Sequence, residues 1–343
     1  MATERLISPA SISPEEQRIN WSLRPQTIGE YIGQQDFIER LKIAIQAVKE
    51  RSEPMDHVLL HGPPGLGKTT LAHVIAKEMG TKVYATSGPA LTRGMDLAAS
   101  LTRLTHGDIL FIDEIHRLPV AVEEFIYPAM EDFRIDVLVD SGPHGRTVQI
   151  PCKPFTLIGA TTRAGLLSSP LRSRFGITHH LRYYSPEELL VILRRSCTLL
   201  GVEAPGAGAR ETIAERSRGT PRIANRLLRR IRDFAQVRAG GAVNRATVDA
   251  ALELEGVDAL GLDALDRAYL KTIGTTYECG PVGLEAVAAT MNEDSGTLED
   301  VVEPYLLQIG FLARTRRGRA LTRPAAEHLG LKFRAAADGG LFE

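Results

Sequence analysis

The chain has 343 residues, 43% of them apolar and 24% charged, the make-up of a globular protein able to bury cores in two or three domains. Lysine plus arginine number 41 and aspartate plus glutamate 42, so only local clustering of charge can point to a nucleic acid or any other charged partner. Three widely spaced cysteines, Cys152, Cys197 and Cys279, form no CxxC pair, and the polar start carries no apolar h-region. These features argue against a zinc module, a disulfide framework, a secretory signal and a membrane span, and they predict a soluble cytoplasmic protein.

The first element is a helix start at 13–16 (SPEE), with Ser13 as N-cap, Pro14 at N1 and Glu16 closing a capping box. A helix follows over about 35–50. Apolar runs at 57–60, 81–86, 109–112, 155–160 and 177–182 then read as strands, and helical spacing between the first three predicts a mostly parallel sheet covered on both faces. Residues 133–150 instead alternate around Gly142-Pro143-His144-Gly145, which predicts an inserted β-hairpin. At 185–188 the SPEE signal recurs and opens an all-helical stretch to about 255. Beyond it come a helix near 262–274, a break at Gly280-Pro281 and a helix near 283–291. A further helix at 297–309 carries the stripe Leu298, Val301, Val302, Tyr305, Leu306, Ile309, with an expected kink at Pro304. Two short strands around Arg316-Arg317-Gly318 complete the layout of a winged helix. Three domains are thus expected, at 1–184, 185–255 and 256–343.

The run HGPPGLGKTT (61–70) contains G-x-x-x-x-G-K-T between a predicted strand and a predicted helix, the context that a phosphate-binding loop requires. Gly62, Gly65 and Gly67 let backbone N–H groups turn inward around phosphate oxygens. Lys68 is placed for the β- and γ-phosphates, Thr69 for Mg²⁺, and Thr70 continues the helix N-terminus. ILFIDE (109–114) is a buried strand ending in two acids, of which Asp113 is placed for the Mg²⁺ shell and Glu114 for polarising the attacking water. His116 completes a D-E-x-H string whose role the sequence leaves open. A two-lobed helicase is disfavoured because only one P-loop core is present.

With both nucleotide motifs in place, the runs LRPQTIGEYIGQ, GPPGLGKTTLA, LFIDEIHRL, IGATTRAG, SPLRSRFG, GTPRIANRLLRR and EPYLLQIGFLARTRRGR together resemble the RuvB family of AAA+ ATPases, the bacterial Holliday-junction branch-migration motors. The resemblance spans about residues 15–330. It implies an α/β P-loop AAA+ core with a parallel sheet, an all-α lid and a C-terminal winged helix, using ATP/ADP and Mg²⁺. It further implies that Thr161 is the sensor 1 group, Arg222 in GTPR the sensor 2 group, and that Leu23, Arg24 and Tyr184 line the adenosine pocket. Arg174 would be the arginine finger acting on a neighbouring subunit's site, which requires a ring, and the resemblance implies a homohexamer. Arg172 is a competing candidate one residue away, and from the residues alone either arginine reads equally well as a surface ion pair. Hairpin 133–150, with Val137, Val139, Val148 and Ile150, would dock the junction-recognising partner RuvA, and the resolvase RuvC would join the same complex.

Segment 311–323 (FLARTRRGRALTR) holds five arginines and no acid. Guanidinium groups pair with phosphates without reading sequence, which suits a motor that steps along any duplex. The resemblance assigns duplex-DNA contact best to Arg314 and Arg319, with Arg316 and Arg317 at the turn. Ser295 stands where relatives often have arginine. Two other classes of function fit the residues less well. A protein remodeller generally grips peptide with an aromatic loop residue, and 87–100 has none; a clamp-loader-like switch shares the nucleotide motifs but not the longer strings.

Overall fold

The three most apolar strands lie at the centre of the sheet, and the two that alternate lie at its edges. The computed structural model describes residues 21–138, 147–202, 206 and 208–333. Two compact units divide the chain, one over Leu23–Tyr183 and one that includes everything from Tyr184 onward. The Ser13–Glu16 cap, the Gly142–Gly145 turn, Val139 and the side chain of Val137 lie outside the described residues.

In the first unit, β1 (Val58–His61), β2 (Val83–Ser87) and β3 (Ile109–Asp113) precede the hairpin β4 (Arg134–Leu138) and β5 (Thr147–Pro151). β6 (Thr156–Thr161) and β7 (Ile177–His180) follow. The main sheet has the order β2-β3-β6-β1-β7, with every pairing parallel. β6 is buried along its whole length and β1 and β3 nearly so, whereas β2 and β7 are half-exposed. That is the burial expected of central and edge strands in a sheet sandwiched by helices. The helix Gln35–Arg51 precedes β1, and Lys68–Met79, Gly94–Leu101 and Val120–Glu131 lie between successive strands in the chain. His57, just before β1, accepts from the Leu157 N–H at Nδ1 (2.9 Å) and faces the Met130 carbonyl with Nε2 (3.0 Å). That pattern fixes a neutral Nε2–H ring, and burial lowers its pKa to match.

The predicted hairpin is present, with Ile135 opposite Ile150 and Val137 opposite Val148. Ile135 is buried and Ile150 packs against the same core, so the root of the hairpin is anchored. Val148, two residues further out, is 46% exposed.

In the second unit the expected capping box forms: the Glu188 N–H donates to Ser185 Oγ (3.2 Å) and the Ser185 N–H to Glu188 Oε2 (2.9 Å). Helices Pro186–Leu199, Ala209–Glu215, Pro221–Arg238 and Arg245–Leu254 make the lid. Beyond them come Ala264–Lys271, extended by a π-helical turn Thr272–Thr276, and then Leu284–Met291. The Gly280–Pro281 break between them is cis.

The helix expected at 297–309, with its kink at Pro304, is divided by a π turn ahead of the proline. Residues 295–308 run as Ser295–Thr297, a π turn Leu298–Val302, and Glu303–Gln308 with Pro304 in its first turn. A proline offers no N–H and crowds the carbonyl four residues back, and the wider π turn just ahead of it relieves both. Leu298, Val302, Tyr305 and Leu306 of the predicted stripe are buried, and Ile309 packs partly against them. β8 (Leu312–Thr315) and β9 (Gly318–Leu321) form the wing.

The second unit also contains a buried ion pair that joins lid to winged helix. Arg218 is 3% exposed. Its Nε donates to the Gly261 carbonyl (2.6 Å), its Nη2 pairs with Asp266, and its guanidinium lies 5.1 Å from the Tyr305 ring centroid. Burial pushes the Asp266 carboxyl up to about 7, with Arg218 pulling the other way. Arg218→Met should therefore destabilise the protein by about 3–5 kcal/mol, since it strands a buried carboxylate. Urea unfolding should show a smaller loss at pH 5.5 than at pH 8, because below about 7 Asp266 can take a proton and shed its charge.

Candidate functional site

The loop between β1 and the helix Lys68–Met79 has the shape that its glycines predict. Gly62 sits at φ +140°, and a Cβ there would come 2.7 Å from the Leu181 carbonyl oxygen, so no other residue fits. Gly65 (φ +81°) and Gly67 (φ +98°) are also left-handed, and Gly67 is the N-cap of the helix. Lys68 is 7% exposed and folds back onto the loop, Nζ donating to the carbonyls of Gly62 (2.7 Å) and Pro63 (2.9 Å). Burial lowers its pKa to about 8, opposed by the charges of Asp113 and Glu114. Thr69 and Thr70 occupy the first helical turn.

β3, β6 and β1 are neighbours, so Asp113, Thr161 and His61 stand at adjacent carboxyl ends, where α/β sheets bind ligands. The Glu114 N–H donates to Asp113 Oδ1 (3.0 Å), and Glu114 itself adopts a left-handed φ of +48°. A non-glycine residue in that region carries strain, and such residues cluster at active sites. Thr161 is fully buried and its Oγ1 accepts from the Arg163 N–H (2.9 Å). His116, left without a role by the sequence, places Nδ1 2.8 Å from Thr161 Oγ1 and 3.3 Å from Glu114 Oε2.

Mg²⁺ prefers oxygen donors and keeps most of its shell as water and phosphate, taking one or two groups from the protein. A helix-first-turn hydroxyl (Thr69) and a strand-end carboxylate (Asp113) suit that demand. Among the described residues no cluster of three or more His, Cys, Asp or Glu could cage a metal without phosphate.

Arg174 ends the short helix Ser169–Ser173. Its Nη1 donates to the Pro170 carbonyl (2.7 Å), Nη2 pairs with Glu131 (3.1 Å), and its guanidinium lies 4.4 Å from the Tyr127 ring centroid. Arg172 is exposed and donates to the Ala164 carbonyl. Of the expected adenosine-pocket residues, Leu23 and Arg24 belong to the first unit and Tyr184 to the second, as does the expected sensor 2 residue Arg222. Within the second, the Tyr184 N–H donates to the Gly219 carbonyl (2.8 Å), which ties Tyr184 to the turn before Arg222 at the start of Pro221–Arg238.

The wing holds a finding that sequence reasoning missed. Glu303 is 0% exposed and gathers five donors: Tyr269 Oη (2.6 Å), Arg314 Nε (2.8 Å) and Nη2 (2.5 Å), and Arg319 Nε (2.8 Å) and Nη2 (3.4 Å). Burial would raise its carboxyl, but hydrogen bonds from Arg319, Tyr269 and Arg314 hold it below the ordinary value. Glu299 adds a second acid, 3.6 Å from Arg319 and 3.9 Å from Arg314. Arg314 and Arg319 face each other across β8 and β9, so both reach the same helix. Arg316 and Arg317, at the turn, are exposed. The one available sequence signal was an acid set directly beside Val302 in an otherwise apolar stripe. Ser295 begins its own short turn, capped by Asp294 through the Thr297 N–H (2.7 Å).

Three family models match in succession: the Holliday junction DNA helicase RuvB P-loop domain over residues 23–181, the RuvB AAA lid domain over 184–258 and the RuvB C-terminal winged helix domain over 259–330. Among solved structures, the Thermotoga maritima RuvB Holliday junction branch migration motor is 52% identical with a TM-score of 0.84, covering 91% of this chain and 99% of its own. A point mutant of the same protein is 51% identical with a TM-score of 0.85, covering 91% and 100%.

Proposed function

The chain belongs to the RuvB family of AAA+ Holliday-junction branch-migration motors, which serve recombination and repair, and from that membership we propose how its own residues perform the work. The family's P-loop core implies nucleotide binding and ATPase activity. In our reading ATP is hydrolysed to ADP and phosphate with Mg²⁺ held by Thr69 and Asp113, while Lys68 binds the β- and γ-phosphates. Glu114 takes the proton of the attacking water, and Thr161 orients that water against the γ-phosphate. Leu23, Arg24 and Tyr184 hold the adenosine, and Arg222 reports the phosphates to the lid. Arg174 completes the site of the next protomer in a hexameric ring.

The winged helix grips duplex through phosphate. Arg316 and Arg317 offer exposed guanidinium groups at the turn, while Arg314 and Arg319 share theirs between Glu303 and the DNA phosphates. RuvA docks on hairpin 133–150 at exposed Val148, and RuvC acts in the same complex. No helix among the described residues is long and apolar enough to cross a membrane, and we place the motor in the cytoplasm.

The observation that carries this reading is that one chain joins strand-tip acids beside a lysine-bearing phosphate loop to an arginine-tipped wing. Its test is ATP-dependent release of duplex products from a labelled four-way junction, with and without RuvA. ATP turnover with no strand release in RuvA's presence would refute it.

The wing makes a separate prediction. Arg316→Ala with Arg317→Ala should weaken duplex binding equally across sequences and flatten its log–log salt slope by up to about 2, at about 0.9 per phosphate contact. Arg314→Ala or Arg319→Ala should in addition lower the melting temperature, because each strips a partner from buried Glu303. Fluorescence anisotropy over a salt series separates the two behaviours.

A further inference from the structure

The geometry points to His116 as a positioning residue for hydrolysis: one ring nitrogen that couples the hydroxyl of Thr161 to the carboxylate of Glu114. The inference deepens the proposed function and rests on its reading of Glu114 as the water-activating acid.

Packing puts the ring where it is. Glu114 turns the chain through its left-handed φ into the short helical turn Ile115–Arg117. Ile115 is buried and sits over β6 at Gly159, where a Cβ would meet Ile115 Cδ1 at 2.9 Å and Phe175 Cζ at 3.1 Å. The absent side chain of Gly159 is thus the seat for Ile115. From that seat the next residue, His116, is held over the tip of β6, with its side chain 7% exposed. On the other side of the turn, the Glu114 carbonyl lies close against Gly88, where a Cβ would clash with it.

The hydrogen-bond inventory then limits what Nδ1 can do. The Thr161 hydroxyl already accepts from the Arg163 N–H, and it has one proton to give. The Glu114 carboxylate can only accept. With the ring in one tautomer throughout, a single Nδ1–H is given either to the second lone pair of Thr161 Oγ1 or to Glu114 Oε2. When Thr161 Oγ1 takes that proton, Nδ1 no longer donates to Glu114 Oε2. When that hydroxyl turns toward a terminal phosphate, Nδ1–H is left to Glu114 Oε2. The carboxylate is then oriented through Oε2, and Oε1 remains for the water. Reading of the phosphate and aiming of the base are joined through a single atom.

The test uses the full-length protein and follows kcat and KM for ATP, with ADP affinity measured separately. His116→Phe keeps the bulk and removes the polar contact; it should lower kcat by about 10- to 100-fold, the scale of a small misplacement of a reacting group. KM and ADP affinity should stay within about twofold. His116→Asn, whose amide reaches the place of Nδ1, should recover most of the rate, whereas His116→Gln, whose amide reaches further, should not. Adding His116→Phe to Thr161→Val should cost little beyond the worse single variant. The inference is overturned if Asn is no better than Phe, if the loss appears as weakened nucleotide binding, or if the double variant loses the full product of both effects. Failure of the underlying reading has a different signature, turnover that survives Glu114→Gln whatever the His116 variants do.

Discussion

Subunits carrying Arg174→Ala, inactive alone, should regain ATPase activity when mixed with equally inactive Lys68→Ala subunits. Arginine fingers in nucleotide hydrolases supply about 10³–10⁵ in rate by neutralising charge on the transferring phosphoryl group. A finger that acts across an interface can be provided by a chain whose own phosphate loop is dead. At equal mixing, about a quarter of head-to-tail interfaces would unite an intact loop with an intact finger. The contacts of Arg174 within its own unit are easily surrendered. Its salt bridge is to exposed Glu131, a class of pair worth about 1 kcal/mol or less, while a desolvated phosphoryl group offers far more. The short helix Ser169–Ser173, capped by Ser168, fixes the backbone from which the side chain swings. Mixtures that stay inactive at every ratio would remove Arg174 from this role, and the same mixing with Arg172→Ala decides between the two arginines.

Glu114→Gln should bind ATP as the parent does and fail to hydrolyse it, with kcat down by about 10²–10⁴. The amide keeps the shape of the side chain but cannot accept the proton of water. The backbone gives no reason for collateral damage, since glutamine meets the same left-handed φ that glutamate already tolerates at this position. Asp113, one residue earlier, keeps its bond to the Glu114 N–H. Single-turnover hydrolysis beside equilibrium ATP binding checks the separation. A loss of binding comparable to the loss of rate would make Glu114 a structural acid.

Much of the nucleotide site was legible in the chain because it is local. A phosphate loop needs left-handed glycines and a helix start within a few residues, and 61–70 carries all of them. The Ser185–Glu188 cap is likewise closed within one turn. The assignments of β1, β3 and β6 held because burial on both faces demands unbroken apolar runs. The π turn at Leu298–Val302 was not legible for a local reason too: a proline within a helical stripe signals a disturbance, but not that the turn ahead of it widens.

What the sequence determined by itself is the family, the AAA+ architecture and the presence of acids at a strand end beside a phosphate loop, each read from runs of residues close together along the chain. Only the tertiary structure decided which charges are committed elsewhere. Glu303 draws Tyr269, Arg314 and Arg319 onto one buried carboxylate, Arg218 finds Asp266 across the boundary between lid and winged helix, and His116 meets Thr161 only because β3 and β6 lie side by side. The reason is desolvation. A charge removed from water must find its counterpart wherever the fold brings one, and that partner's distance along the chain follows no period or spacing that a sequence displays.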